Sequence, residues 1–214
     1  MARVLCLHGL GGTGATMQPL ADALSAIGHD VGAPSLPGHG SQPEDLIGIA
    51  WDDWLDSTHS FEPDVVVGQS MGAMLGLAMA AERRCRAAVA INPVATDPDA
   101  VEALEWRLSR GHEWLELGPS TVDEVAYARL PLAAVLAMHR GIATVVLTDV
   151  RVPVLIVTSA NDEVVDPAGS AAVAAALGAS VQRVTLHLGG HVATLDADRD
   201  TLIAAVIEFV ADQV

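Results

Sequence analysis

The sequence predicts an α/β fold: a mainly parallel sheet of about six strands flanked by helices, with a small helical segment inserted late in the sheet. Three observations predict it. Short β-branched and aliphatic runs alternate with longer stretches of helical periodicity. The alternation breaks between about residues 94 and 149 and then resumes. The chain has 214 residues, 51% of them hydrophobic, which suits one domain with a full core and excludes disorder as its main state.

The elements follow in order. Residues 4–7 form an aliphatic strand run directly before a Gly-rich turn. Residues 15–27 carry Met17, Leu20, Leu24 and Ile27 at helical spacing, with Gly28 as the cap. Residues 30–33 read as a short strand and 34–43 as a turn-rich loop with three prolines and two glycines. Residues 49–59 read as a helix carrying Trp51, Trp54 and Leu55. Residues 64–67 are a buried-strand run between Pro63 and Gly68, residues 71–83 an apolar helix, and residues 87–91 another strand. After the interruption come a strand at 154–158, a helix at 167–177, a strand at 181–186 and a helix at 200–211. Residues 1–93 and 150–214 are therefore expected to form the α/β core. Residues 94–149, with many charges and two tryptophans, are expected to fold as several short helices inserted between two sheet strands.

Charge and composition exclude several classes of function. The formal net charge is −16, and all 11 basic residues are arginines. The absence of lysine rules out a Schiff-base lysine and a Walker-A phosphate site. An acidic surface repels nucleic acid and anionic membrane, so neither is expected as a partner. No apolar run reaches the roughly 18–20 residues of a membrane span, and the first residues do not read as a secretory signal. Cys6 and Cys85 lie in apolar contexts and read as buried free thiols of a cytoplasmic protein. No spacing of ligand residues suggests zinc, and no cofactor is expected.

The strongest chemical signal is Gly68-Gln69-Ser70-Met71-Gly72. It follows a strand run and opens a helix. A serine there sits on a sharp strand-to-helix turn, and the flanking glycines remove side chains that would collide with it. The hydroxyl is exposed above the sheet edge, where the helix N-terminus favours developing negative charge.

A nucleophilic serine needs a base and an orienting acid. Of eight histidines, His191 in Gly189-Gly190-His191-Val192 follows the last strand, at the same sheet edge as Ser70. His8 and His39 lie on early Gly-rich loops and read as loop-shaping residues. His29, His59, His112 and His139 read as surface positions on helices or their ends, and His187 as structural. For the acid, Asp162 follows the 154–158 strand most closely. Glu163 is the adjacent competitor, and Asp166 before Pro167 reads as a helix N-cap. The order Ser70, Asp162, His191 is one of the known chain orders of such a triad. Two backbone N–H groups are expected to stabilise the oxyanion: that of Met71, after the serine, and that of Leu10 in His8-Gly9-Leu10-Gly11-Gly12.

The first loop has a rival reading. Gly9-Leu10-Gly11-Gly12-Thr13-Gly14 is formally a dinucleotide fingerprint, with Asp30 near the ribose-binding position. That reading leaves Ser70, Asp162 and His191 at strand ends as coincidences.

The His8–Gly12 loop, Leu36-Pro37-Gly38-His39-Gly40, Gly68-Gln69-Ser70-Met71-Gly72, Ile91-Asn92-Pro93, Asn161-Asp162-Glu163-Val164-Val165 and Gly190-His191-Val192-Ala193-Thr194-Leu195-Asp196 together resemble one family. It is the branch of α/β-hydrolases that contains bacterial monoacylglycerol lipases and small carboxylesterases. The resemblance runs nearly end to end, with the chain opening at what would be the family's third sheet strand. It implies an α/β-hydrolase fold, a cap formed by residues 94–149, triad roles for Ser70, Asp162 and His191, and oxyanion roles for Leu10 and Met71. The implied function is acyl-enzyme hydrolysis of small-molecule carboxylic esters with small or medium acyl chains. Thioester, lactone or carbon–carbon bond hydrolysis stands as an alternative on the same triad, and a noncatalytic binding protein is a further one. Trp106, Leu108, Trp114, Leu115, Leu117, Leu132, Leu136 and Met138 are expected to supply an apolar roof that sets acyl preference.

Overall fold

The computed structural model describes residues 1–213. Strand β1 (Arg3–Leu7) leads into helix α1 (Gly14–Ala26), then β2 (Asp30–Gly32), a short 3-10 turn, α2 (Trp51–Ser57), β3 (Val65–Gln69), α3 (Met71–Ala81) and β4 (Ala87–Ile91). The inserted stretch holds α4 (Pro98–Ser109), β5 (Trp114–Glu116), β6 (Arg129–Pro131) and α5 (Leu132–Ile142). The alternation then resumes with β7 (Val154–Ser159), α6 (Pro167–Ala176), β8 (Val181–Leu186) and α7 (Arg199–Ala211). Six strands pair in the order β2-β1-β3-β4-β7-β8, every neighbouring pair parallel. This is the α/β sheet the alternation predicts. Among the described residues, no helix is long and apolar enough to cross a membrane.

The two-residue period of the strands sorts the core into two layers. Leu5, Leu7, Val66, Ala88, Ala90, Val154 and Ile156 face one side, packed with Trp51 and Trp54 of α2, the methionines and leucines of α3, and Leu132 and Ile142 of α5. Val4, Cys6, Val65, Val67, Val89, Ile91, Leu155 and Val157 face the other, beneath Met17, Leu20 and Leu24 of α1 and Leu202, Val206 and Phe209 of α7. Burial on both faces explains why the central strands read as unbroken apolar runs. Helix α3 is buried almost all round, so it has no polar stripe.

The inserted stretch differs from its sequence reading. Alongside its helices it contains an antiparallel ribbon, with Leu115 opposite Leu130 and Glu116 opposite Arg129. Each strand has three residues, too few to set a period, and turn-forming Gly118-Pro119-Ser120 lies between them. The ribbon is reinforced by the Arg129 guanidinium, 4.1 Å above the Trp114 ring.

Helices α2 and α5 meet at Gly141, where a Cβ would collide with the Trp51 side chain. Gly141→Ala is expected to force the two helices apart and to destabilise the fold by about 1–3 kcal/mol, as overpacking does. The check is thermal unfolding, with a fall of roughly 2–4 °C per kcal/mol for a chain of this size.

Candidate active site

Ser70 occupies the junction of β3 and α3 with φ 56° and ψ −119°. That positive φ is costly for a residue with a side chain, on the order of 1–3 kcal/mol. Four contacts hold the turn. A Cβ at Gly68 would strike the Gly72 carbonyl, and one at Gly72 would strike the Leu7 carbonyl, so only glycines permit the approach. The Ser70 N–H donates to the Ile91 carbonyl at 2.9 Å, and the Ser70 carbonyl accepts from Ala73 at 3.0 Å.

Parallel pairing of β1 with β3 places Leu7 opposite Gly68, so the loop after β1 emerges beside Ser70. A Cβ at Gly9 would lie 3.1 Å from Ser70 Cβ. His8 shapes this loop from within the core: its Nδ1–H donates to the Gly9 carbonyl at 2.8 Å and its Nε2 accepts from Leu36 N–H at 3.0 Å. The Leu10 N–H makes no hydrogen bond among the described residues. Met71 is the first residue of α3, where an N–H has no carbonyl one turn back to meet. Both N–H groups singled out in the sequence thus have no hydrogen-bond partner among the described residues.

On the far side, His191 Nδ1 lies 2.7 Å from Asp162 Oδ2. The other carboxylate oxygen of Asp162 accepts from Val164 and Val165 N–H, both at 2.9 Å. A carboxylate only accepts, so the shared proton sits on Nδ1, and in the neutral ring Nε2 keeps a free lone pair. Burial raises the Asp162 carboxyl; the hydrogen bond and charge of His191 and the two amides outweigh it and hold the group below the usual carboxylate range. Glu163 is exposed and makes no hydrogen bond or ion pair with His191 among the described residues, and Asp166 caps α6 by accepting from Ala168 N–H. Of the three candidate carboxylates, Asp162 is the one that reaches the imidazole.

Ser70, Leu10 and His191 line one cavity of about 1280 Å³. No hydrogen bond joins the Ser70 hydroxyl to His191 among the described residues. Of the expected roof residues, Leu115, Leu117 and Met138 line the cavity. Trp106 is exposed, and Leu132 and Leu136 are buried against the sheet side. Leu130 and Val135 line the wall instead, and sequence periodicity had not marked them. Both thiols lie outside the cavity lining, and burial pushes Cys6 and Cys85 up to about 12, which removes them as competing nucleophiles.

Asn92 is the site residue whose role sequence reasoning missed. It follows β4 with φ 46° and is buried. Its Oδ1 accepts from Ser159 N–H at 2.7 Å, and its Nδ2 donates to Ser159 Oγ at 3.0 Å and to the His191 carbonyl at 2.9 Å. One amide therefore ties the end of β7, which leads to Asp162, to the loop carrying His191. The available signal was an Asn directly after a buried strand.

The Alpha/beta hydrolase family profile matches residues 4–205. The chain belongs to the alpha/beta hydrolase family. A thermostable monoacylglycerol lipase of Bacillus sp. (strain H-257) is 30% identical over 227 residues, covering 97% of this chain and 90% of that protein. A solved structure from work on LipS and LipT, two metagenome-derived lipolytic enzymes, superposes with a TM-score of 0.90 at 26% identity, covering 98% of this chain and 93% of that one. A monoacylglycerol lipase from Paleococcus ferrophilus shares the fold, with a TM-score of 0.75 at 18% identity over 99% of this chain and 95% of that one.

Two outcomes are expected. Asn92→Ala strands the Ser159 N–H and the His191 carbonyl and puts alanine at a positive φ that asparagine tolerates better, so stability should fall by about 2–4 kcal/mol in denaturant unfolding. An unchanged midpoint would show that the latch contributes nothing. His8, fully buried, is pushed down from 6.5 to about 4, first by burial and also by nearby His39, against the opposing bond to Gly9. The folded protein therefore binds fewer protons than the unfolded chain between those values. The His8 contribution is complete above about pH 6.5 and is lost as pH falls toward 4, worth about 3 kcal/mol. His8→Gln should flatten the fall in melting temperature across that window.

Proposed function

We propose that this chain is an ester hydrolase resembling monoacylglycerol lipases and small carboxylesterases, acting through an acyl-enzyme on Ser70. The observation that carries the reading is the 2.7 Å pairing of His191 Nδ1 with Asp162 on the cavity that also holds the strained Ser70 turn. The names of the relatives support the ester as the substrate bond.

In this mechanism His191 Nε2 takes the Ser70 proton as the hydroxyl oxygen attacks the ester carbonyl. Asp162 holds the imidazole in the tautomer that can accept. The N–H groups of Leu10 and Met71 stabilise the tetrahedral oxyanion, each worth on the order of 10²–10³ in rate. The imidazolium protonates the departing alcohol. Water then attacks the acyl-Ser70 ester with His191 as base, releasing the acid and restoring the hydroxyl.

Residues 94–149 serve as the cap. Leu115, Leu117, Leu130, Val135 and Met138 give the acyl chain an apolar wall, at roughly 0.8 kcal/mol per buried methylene until the wall ends. The free cysteines and the acidic charge support a cytoplasmic setting without nucleic-acid partners.

A fluorophosphonate probe should label the protein once, and Ser70→Ala should abolish both labelling and hydrolysis. Labelling that survives the substitution overturns the assignment. Asp162→Asn should lower kcat by roughly 10⁴, the loss seen when an orienting acid is removed. Across a p-nitrophenyl ester series, activity should rise with acyl length and then break; Val135→Phe should move the break to shorter chains and Met138→Ala to longer ones. A length profile unmoved by either places the acyl site elsewhere.

A further inference from the structure

We infer that the cavity is a charge filter: it admits neutral and cationic esters and rejects anionic ones. The inference rests on the proposed hydrolytic site and concerns the substrate class that site takes. Five carboxylates line the cavity holding Ser70: Asp97, Glu124, Glu163, Asp166 and Asp196. No arginine lines it among the described residues, and the chain has no lysine. None of the five forms an ion pair among the described residues.

Their hydrogen-bond partners are uncharged. Asp97 accepts from Ala100 N–H, Glu124 from the Ser120 hydroxyl, Asp166 from Ala168 N–H, and Asp196 from Gly190 and Ala197 N–H. Asp97 and Asp166 cap α4 and α6, whose N-termini offset about half a charge each. Roughly four uncompensated negative charges remain around the entering substrate.

The size of the effect follows from distance and screening. Charges on the order of 10 Å from an anionic group, in water-like surroundings, disfavour it by on the order of tenfold at ~10 mM salt. The penalty shrinks to about twofold at ~0.15 M, where the Debye length is about 8 Å. An acyl thioester on a polyphosphorylated carrier carries several such charges and is the most strongly excluded. Ester hydrolysis also turns a neutral acyl group into a carboxylate, so the same field expels the acid product.

The test uses three butyrate esters of matched size: choline butyrate, its neutral isostere 3,3-dimethylbutyl butyrate, and 3-sulfopropyl butyrate. At low salt kcat/KM should fall in the order cation, neutral, anion. The neutral-to-anion ratio should be on the order of tenfold and close to about twofold at ~0.15 M salt. In the combined variant Asp97→Asn, Glu163→Gln, Asp166→Asn, with both caps kept by asparagine, that low-salt ratio should shrink. A ratio near one at low salt, a ratio indifferent to salt, or a ratio unmoved in the folded variant overturns the filter. If the variant does not fold, the salt series on the unmodified chain decides. Ser70→Ala separates the two levels. If it still hydrolyses the neutral ester, the active-site reading has failed; if it is inactive while the esters are cleaved equally by the unmodified chain, only the filter has.

Discussion

The arrangement depends on a single crowded contact: the backbone of β3 and α3 closing on itself and on β1 around Ser70. A strand that turns into a helix within one residue must bring the carbonyls of Gly72 and Leu7 against positions 68 and 72, where there is no room for a β-carbon. The serine takes up the remaining strain in its positive φ. Because β1 is paired with β3 in register, the same crowding puts the loop after β1 against Ser70. The sheet thus delivers a hydroxyl and its neighbouring amide donors in one step, without a flexible loop having to find them.

Much of this was legible in the sequence, for identifiable reasons. Strands buried on both faces leave unbroken aliphatic runs, and Gly68-x-Ser70-x-Gly72 is written directly by the steric demand of the turn. Asp162 and His191 stand out as candidates by their distance from strand ends, since parallel strands put every such loop at one edge, and the fold pairs them. The antiparallel ribbon was not legible. Its strands are three residues long, and their partners are set by register across a long connection. Trp106 illustrates a related limit: periodicity marks an apolar residue without saying whether it meets the core, the cavity or water, and Trp106 lies exposed near Arg110.

Asn92 was hidden for a different reason. Polar residues after strands are common, and the sequence does not reveal that one amide will face two loops at once. In the fold, β4 lies between β3 and β7, so its end is the natural place from which to tie the serine side of the site to the acid and histidine side. Thr194 adds a second tie, its hydroxyl donating to Gln69 beside Ser70 at 3.2 Å. Asp198 and Asp196 pin the preceding backbone of the histidine loop through Leu188, Gly189 and Gly190 N–H. The loop carrying His191 is irregular in outline but fixed along its length by bonds to rigid elements, which is the condition for holding the imidazole of the proposed base in place.

The loop after β1 is held in the same way, from two sides. Beneath it, His8 bridges the Gly9 carbonyl and Leu36, a task that needs a neutral ring with one donor and one acceptor nitrogen. Above it, Tyr127 donates its N–H to the Gly11 carbonyl at 2.9 Å, while its hydroxyl donates to the Gly38 carbonyl and accepts from Ser41 N–H. Leu130 of the ribbon packs against Gly11. The inserted stretch therefore does more than wall the cavity. It is bonded to the loop that presents Leu10, so the position of that amide is set jointly by the sheet below and the ribbon above. A change in the ribbon reaches the loop that carries Leu10, the proposed oxyanion donor, through one backbone hydrogen bond and one leucine, which ties the proposed acyl wall to the geometry of the proposed chemistry.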